Sequence, residues 1–543
     1  MAELAKLPYA CTNFESLRNS GMIYVDKTDL IYEIARLKVP YFLTRPRRFG
    51  KSLLLSTIES LFSNGTEFFK GLKIEKLWDD NNTYKVIRLD FSSLTYDDPS
   101  SFDRGIKEKL LDYVSRYKIP IVKRKDNRSA GETLSMIINS VSADTLVLLI
   151  DEYDHPLTHS LDDKELFNSL RNYLSGFFGA IKSDVGRLRF FFMTGVGKFA
   201  KASVFSQLNN LLDISQSPKY ASLLGYTEGE LHLYFGDYVE YAAKLLNSTE
   251  EQVYTELKNY YDGYRMTEDS SKLVYNPWSC LSFLLHPENG YRNYWYETGG
   301  AYPTLIAKYI RNIKETPLEA LQKVKITKDD LNTFYDYFEV PTVSLLYQTG
   351  YLTIRDEYND LYKMNQLVLS PPNLEVKSAL AKLYLMEIRE ERISVDDIHL
   401  SEVLRADFVE HNYSNMQSHF NIILINFGYD NKVAFADERN CRDFVDLALC
   451  VGGLYTRKEV ISAKGRADLV VELPDERFVF EFKLSKNDSE ETELLEKASF
   501  QLKDNKYGEI MPIKKLHRIA VVISSVKKDI TLFKVLDQNL ISN

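Results

Sequence analysis

Two rhythms of apolar residues alternate along this chain. Residues 39–57, VPYFLTRPRRFGKSLLLST, begin with a short apolar run, break at a tight basic loop and resume with the spacing of a helix. VIRLDFSSL at 86–94, TLVLLIDEYD at 145–154 and RLRFFFMTGV at 187–196 are further short apolar runs that end in polar or acidic residues, with helical stretches between them. Strands alternating with helices in this way predict a parallel sheet covered by helices on both faces. This first domain is expected at about residues 1–225.

From Tyr226 to about Pro287 the pattern turns helical, and EGELHLYFGDYVEYAAKLL places apolar residues three and four apart. That region, residues 226–299, reads as a helical lid. A helix around VSLLYQTG is followed by YLTIRDEYNDLYKMNQLVL, two extended runs about a polar turn. Helix then hairpin is the outline of a winged helix. Residues 300–420 are therefore expected to hold a winged-helix-like region and a charged helical connector. The last stretch, 421–543, predicts a helix, a hairpin at 466–484, another helix and a strand, RIAVVISS, at 518–525.

Length and charge narrow the partners. A chain of 543 residues exceeds one core and should divide into three or four domains. Its net charge of −9 argues against a surface coated all over by nucleic acid, so any such contact needs a local basic patch. The 36 Tyr against 3 Trp fit either AT-rich coding or a base-stacking surface. Cys11, Cys280, Cys441 and Cys450 form no CxxC pair, which favours a reducing cytoplasm over a disulfide framework or a zinc site. The N-terminal segment lacks the pattern of a signal peptide, and runs such as Leu146 to Ile150 are far shorter than a membrane span, so no membrane partner is expected.

Two constellations carry chemistry. Gly50, Lys51 and Ser52 close a loop and open a helix, where backbone amides, an ammonium and a hydroxyl suit phosphate and Mg²⁺. Arg45 stands where such loops usually begin with glycine, and the tripeptide alone is common. The run Leu146 to Ile150 then delivers Asp151 and Glu152 at a strand's carboxyl end, the ligand-binding edge of open α/β sheets. Asp151 suits Mg²⁺ and Glu152 an attacking water, while Thr194, after another apolar run, could sense a γ-phosphate. Arg47 and Arg48 either meet phosphate charge or form a solvated basic loop. His155 and His159 are four apart but lack the Glu of an HExxH zinc helix, and read as structural.

The second constellation lies in GRADLVVELPDERFVFEFKLSK at 465–486. Alternation places Glu481 and Lys483 on one strand face, and a hairpin can bring Asp468 to them. Metal-assisted phosphodiester cleavage needs such acids with a cation beside the attacking water. The same residues also fit a plain solvent-facing ion pair. Glu438 and Gln501, on the helices before and after, could complete an acidic site, and Glu459 lies just upstream of the hairpin.

At these residues the chain resembles the bacterial AAA-ATPase-like proteins with a C-terminal PD-(D/E)XK nuclease domain. The resemblance runs over nearly its whole length, through YVDKTDLI, RPRRFGKSLLLST, IDEYDHPL, MTGVGKFAKASVFSQLNNLLDIS, YYDGYRM, VYNPWS, LLYQTGYLTI, GRADLVVE and FEFKL. It implies an α/β fold: an N-terminal P-loop parallel sheet, a helical lid and winged-helix-like middle, and a restriction-endonuclease-like domain at 421–543. It implies ATP binding by Arg47, Arg48, Gly50, Lys51 and Ser52 with Asp151 and Glu152. It also implies a nuclease centre of Asp468, Glu481 and Lys483, supported by Glu438 and Gln501, using Mg²⁺ or Mn²⁺ on nucleic acid, with DNA favoured. Ser52, Asp151, Asp468 and Glu481 are the expected metal contacts. The role, mobile-element defence or DNA processing, and assembly into a homo-oligomer stay open. The rival reading is an ATP-dependent switch or scaffold whose nuclease-like domain only binds nucleic acid or a partner. A third is a regulator that binds DNA through residues 300–385.

Overall fold

The computed structural model describes residues 4–121, 128–160, 163–198, 208, 210–268, 271–297, 324–327, 331, 342–360, 363–388, 403–428, 435, 437–462, 464–511 and 513–536. Much of the region expected to hold a winged helix and connector therefore lies outside the described residues. So does the KASVFSQ part of the motif that follows Thr194. The described residues up to 297, with 324–373, form one compact unit, and those from Leu374 onward form another.

In the first unit β1 (Pro40–Thr44), β2 (Lys85–Asp90), β3 (Leu146–Asp151), β4 (Phe190–Gly195) and β5 (Leu212–Asp213) make one sheet in the order β2-β3-β4-β1-β5. Every pairing is parallel. Burial at all six positions of β3 and of β4 is why those runs read as unbroken apolar sequence. The helix Lys164–Ile181 covers them with Phe167, Leu170, Leu174, Phe178 and Ile181, spaced three and four apart. Ser129 and Glu132 form a reciprocal capping box that starts the helix Ala130–Ser140, which joins the same core. Further along, the expected helices are Glu228–Leu245, Glu250–Tyr261 and Pro277–Leu285.

The helix Thr342–Thr349 precedes an antiparallel hairpin of β7 (Thr353–Asp360) and β8 (Lys363–Ser370), the outline expected from the sequence. A strand not anticipated, β6 (Val324–Thr327), pairs with the other side of β8.

The second unit is built on a mixed sheet of β9 (Tyr455–Ser462), β10 (Gly465–Glu472), β11 (Glu476–Ser485), β12 (Lys515–Ser524) and β13 (Asp529–Val535), ordered β13-β12-β11-β10-β9. Only β11 and β12 run parallel. The central strand β11 is buried without a break from Arg477 to Lys483. One face of the sheet presents Val470, Val479 and Ala520 to Ala498 and Leu502 of the helix Glu491–Asp504. On the other, Phe478 and Phe480 pack against the rings of Phe408 and Phe420. Among the described residues no helix is long and apolar enough to cross a membrane.

Arg45 explains how the loop after β1 does without its usual glycine. The residue is 2% exposed, and its guanidinium donates to the carbonyls of Thr44 (2.9 Å), Ser215 (2.6 Å) and Tyr220 (3.1 Å). Burial pushes it down to about 10, which still leaves it charged at neutral pH. It thus ties the end of β1 to the segment after β5. Arg45→Met should leave those carbonyls without this donor and lower stability by roughly 2–4 kcal/mol. Denaturant unfolding followed by tryptophan emission reads this directly, because Trp78, Trp278 and Trp295 all lie in the first unit. An unchanged midpoint would remove the bracing role.

Candidate functional site

The loop and helix after β1 border a cavity of about 570 Å³, which Arg47, Arg48, Gly50, Lys51, Ser52 and Glu152 all line. Gly50 holds φ +93° at the N-terminus of the helix Lys51–Asn64, a left-handed conformation that glycine adopts without strain. The Lys51 ammonium is buried and donates to the carbonyls of Arg45 and Pro46, both at 3.0 Å. Burial lowers its pKa, opposed by the nearby Glu152, Asp151 and Asp154 carboxylates. Arg48 lies 4.4 Å from the Trp278 ring centroid, and Trp278 and Leu224 line the same cavity. The described residues thus combine an ammonium, helix N-terminal amides and apolar walls in one space large enough for a nucleotide.

The strand ends behind the loop form a connected polar group. Thr194 donates to Asp151 Oδ1 at 2.7 Å, and Arg88 reaches Asp151 Oδ2 at 3.4 Å and the Ser52 carbonyl at 3.0 Å. Thr194 is therefore engaged with Asp151 itself. Glu152, at φ +50°, faces the cavity, and burial raises its carboxyl pKa. Two residues of this group escaped the sequence reading. Asp154 is buried, pushed up to about 6 by burial, and accepts the amides of Val196 and Gly197. The other is Arg88, whose signal was a lone cation inside an apolar strand. His155 and His159 stack at 5.7 Å between ring centroids, and the two are not part of a metal cluster among the described residues.

In the second unit Asp468, Glu481, Lys483 and Glu438 come together. Leu469 pairs with Phe480, and extending that register by one residue sets Asp468 opposite Glu481. Regular pairing stops there because Asp468 Oδ2 accepts the Phe482 amide at 2.8 Å. Lys483 Nζ lies 2.9 Å from Glu481 Oε1 and 3.2 Å from Glu438 Oε1. Glu481 is 3% and Lys483 8% exposed, which rules out a solvent-facing ion pair. Burial first, and then the Asp468 carboxylate, push the Glu481 carboxyl up to about 7. Burial pulls the Lys483 ammonium down, but Glu481 and its neighbours outweigh that and raise it.

Among the described residues five side-chain oxygens of this unit are buried with no hydrogen-bond partner, on Asp443, Glu472, Glu481, Gln501 and Asp529. Glu481 Oε2 and Gln501 Oε1 are the two on residues expected at the site. A buried carboxylate oxygen without a donor is a ready ligand for a hard cation. Glu459 sits in β9 at φ +50°, opposite Asp468 by the β9–β10 register. It pairs with Arg442, a residue the sequence reading did not single out, which also lies 4.0 Å from Asp468 Oδ1.

Two family matches cover the regions that contain these residues. Residues 8–205 match the family described as Predicted AAA-ATPase, and residues 436–532 match the PD-(D/E)XK nuclease superfamily. A protein of Azotobacter chroococcum mcd 1, described as "Uncharacterized protein in vnfD 5'region", is 31% identical over 512 residues, 93% of each chain.

The raised Glu481 carboxyl links stability to pH. Its folded value lies above the unfolded one near 4.3, so its stabilising protonated form is fully present below about pH 4 and lost as pH rises through 7. Glu481→Gln in chelator should therefore melt above the parent protein at pH 8, by on the order of 1–3 kcal/mol, with the gap closing by pH 5. Equal melting curves at pH 8 would contradict the buried acidic cluster.

Proposed function

Because the chain belongs to the family that joins an AAA-ATPase-like domain to a C-terminal PD-(D/E)XK nuclease-superfamily domain, we propose that it is an ATP-regulated, metal-dependent nuclease acting on DNA. The observation that carries the reading is the convergence of half-buried Asp468 with buried Glu481 and Lys483, one Glu481 oxygen being left without a hydrogen-bond partner. Mg²⁺ or Mn²⁺ bound there would polarise a phosphodiester and lower the pKa of a bound water. Asp468 Oδ1 and Glu481 Oε2 are the oxygens left to hold it, since Oδ2 takes the Phe482 amide and Oε1 takes Lys483. Lys483 is an ammonium at neutral pH, and so serves as a cation that positions water and offsets phosphate charge rather than as a base. Gln501 and Glu438 orient the water and Lys483 from the flanking helices.

At the other site Lys51 and the amides from Gly50 to Ser52 would hold the β and γ phosphates, with Arg47 and Arg48 adding positive charge. Asp151 and Ser52 would hold Mg²⁺ and Glu152, which lines the cavity, would orient water, with Thr194 acting by fixing the Asp151 carboxylate. Regulation is read from what grips the phosphate loop. Trp295 Nε1 donates to the Arg47 carbonyl at 3.3 Å, and a Cβ on Gly350 would stand 2.7 Å from Pro46. Residues 226–299, read as a lid, and the winged-helix-like region beyond would therefore feel nucleotide entry.

Plasmid DNA and RNA with Mg²⁺ or Mn²⁺, with and without ATP, test the proposal. Lys483→Ala and Glu481→Gln should each slow DNA cleavage by about 100-fold or more while ATP binding persists. Lys51→Ala should abolish ATP binding and with it the response to ATP. Undiminished cleavage by Lys483→Ala would make the assigned centre wrong. No cleavage by the parent protein under any of these conditions would favour the scaffold reading.

A further inference from the structure

About five residues along β11 from Glu481, roughly 17 Å away, a second group of metal-binding side chains converges. His411 occupies the turn before the helix Tyr413–Gly428, Glu476 begins β11 and His517 lies on β12. Their ligand atoms all lie within 4.8 Å of one another. Glu476 Oε2 is the focus: His411 Nε2 contacts it, and His517 Nε2 stands 3.3 Å from it. Zinc with bonds of about 2.0–2.1 Å in tetrahedral geometry separates its ligands by roughly 3.3 Å.

The surroundings point to a cation held between these groups. His517 is 7% exposed, and its buried Nε2 makes no hydrogen bond of proper geometry among the described residues. Tyr413 Oη lies 2.7 Å from His517 Nδ1, so the hydroxyl can accept the Nδ1 proton and leave the Nε2 lone pair facing the carboxylate. Two lone pairs at that distance repel unless a proton or metal lies between them. Lys515 sits 3.0 Å from Glu476 Oε1, and the His411 and His517 rings are 4.9 Å apart, so one ion bound at Oε2 can meet both rings while Oε1 stays with the ammonium.

We propose that His411, Glu476 and His517 bind one divalent ion of the zinc class, with water in the fourth position, pinning the turn at His411 to the ends of β11 and β12. Two nitrogens and one oxygen are borderline donors that suit zinc better than Mg²⁺ or Ca²⁺. The site shares no ligand with the Asp468 cluster and does not depend on nuclease activity.

The test uses the full chain carrying Glu481→Gln, so that the acidic cluster contributes little metal. After exposure to micromolar ZnCl₂ and desalting, elemental analysis should find about one zinc per chain, falling to near zero with His411→Asn or His517→Asn. Stripping zinc with a chelator should lower the melting temperature, and Co²⁺ in its place should give the intense visible absorption of a tetrahedral site. The Co²⁺ spectrum needs no further variant, so misfolding of a histidine variant cannot mask the result. Zinc content unaffected by either histidine change would overturn the proposal. So would a chain that takes up neither zinc nor cobalt, which would leave the three groups as a proton-sharing cluster.

Discussion

A carboxylate carried on a strand buried on both faces loses its water and must gain a donor, a cation or an ion in return. Asp151, closing β3, gains Thr194 and Arg88. Glu481, in the middle of β11, gains Lys483 on one oxygen only. The first acid is balanced within the protein, whereas the second is left short by one partner. That difference separates a carboxylate already satisfied by its neighbours from one that burial and the Asp468 carboxylate push up to about 7.

The strand order adds a spatial constraint to the first site. Because β4 lies between β1 and β3, the Lys51 loop and Asp151 stand two strand spacings apart, roughly 10 Å. That gap suits a phosphate chain with its ion. Thr194, ending the intervening strand, is the residue that can touch Asp151 across it. Arg45 holds the loop's base in place by bonding three carbonyls, so the loop keeps its shape although the usual glycine is missing.

The sequence revealed most where burial was complete. The four apolar runs became β1 to β4 because strands covered on both faces need unbroken apolar residues. Asp151, Asp468, Glu481 and Lys483 stood out because charges in such runs are conspicuous. Edge strands were harder to read. Tyr455–Ser462 and Asp529–Val535 mix polar and apolar residues, since one side of each is open to solvent, and neither β9 nor β13 was anticipated. Arg442, Asp154 and the Glu476 cluster stayed hidden for another reason. Their partners are distant in sequence, and only tertiary packing brings His411 within reach of His517.

The way Asp468 ends the β10–β11 ladder limits how tightly an ion could be held. With one of its oxygens fixed to a backbone amide and one Glu481 oxygen fixed to an ammonium, each acid offers a single ligand atom. An octahedral ion bound by two protein oxygens keeps most of its coordination sphere for solvent. Under the proposed nuclease reading such an ion would exchange freely while the chain is idle and become firmly seated only when phosphate oxygens replaced the water. Metal occupancy would then follow the arrival of nucleic acid rather than precede it.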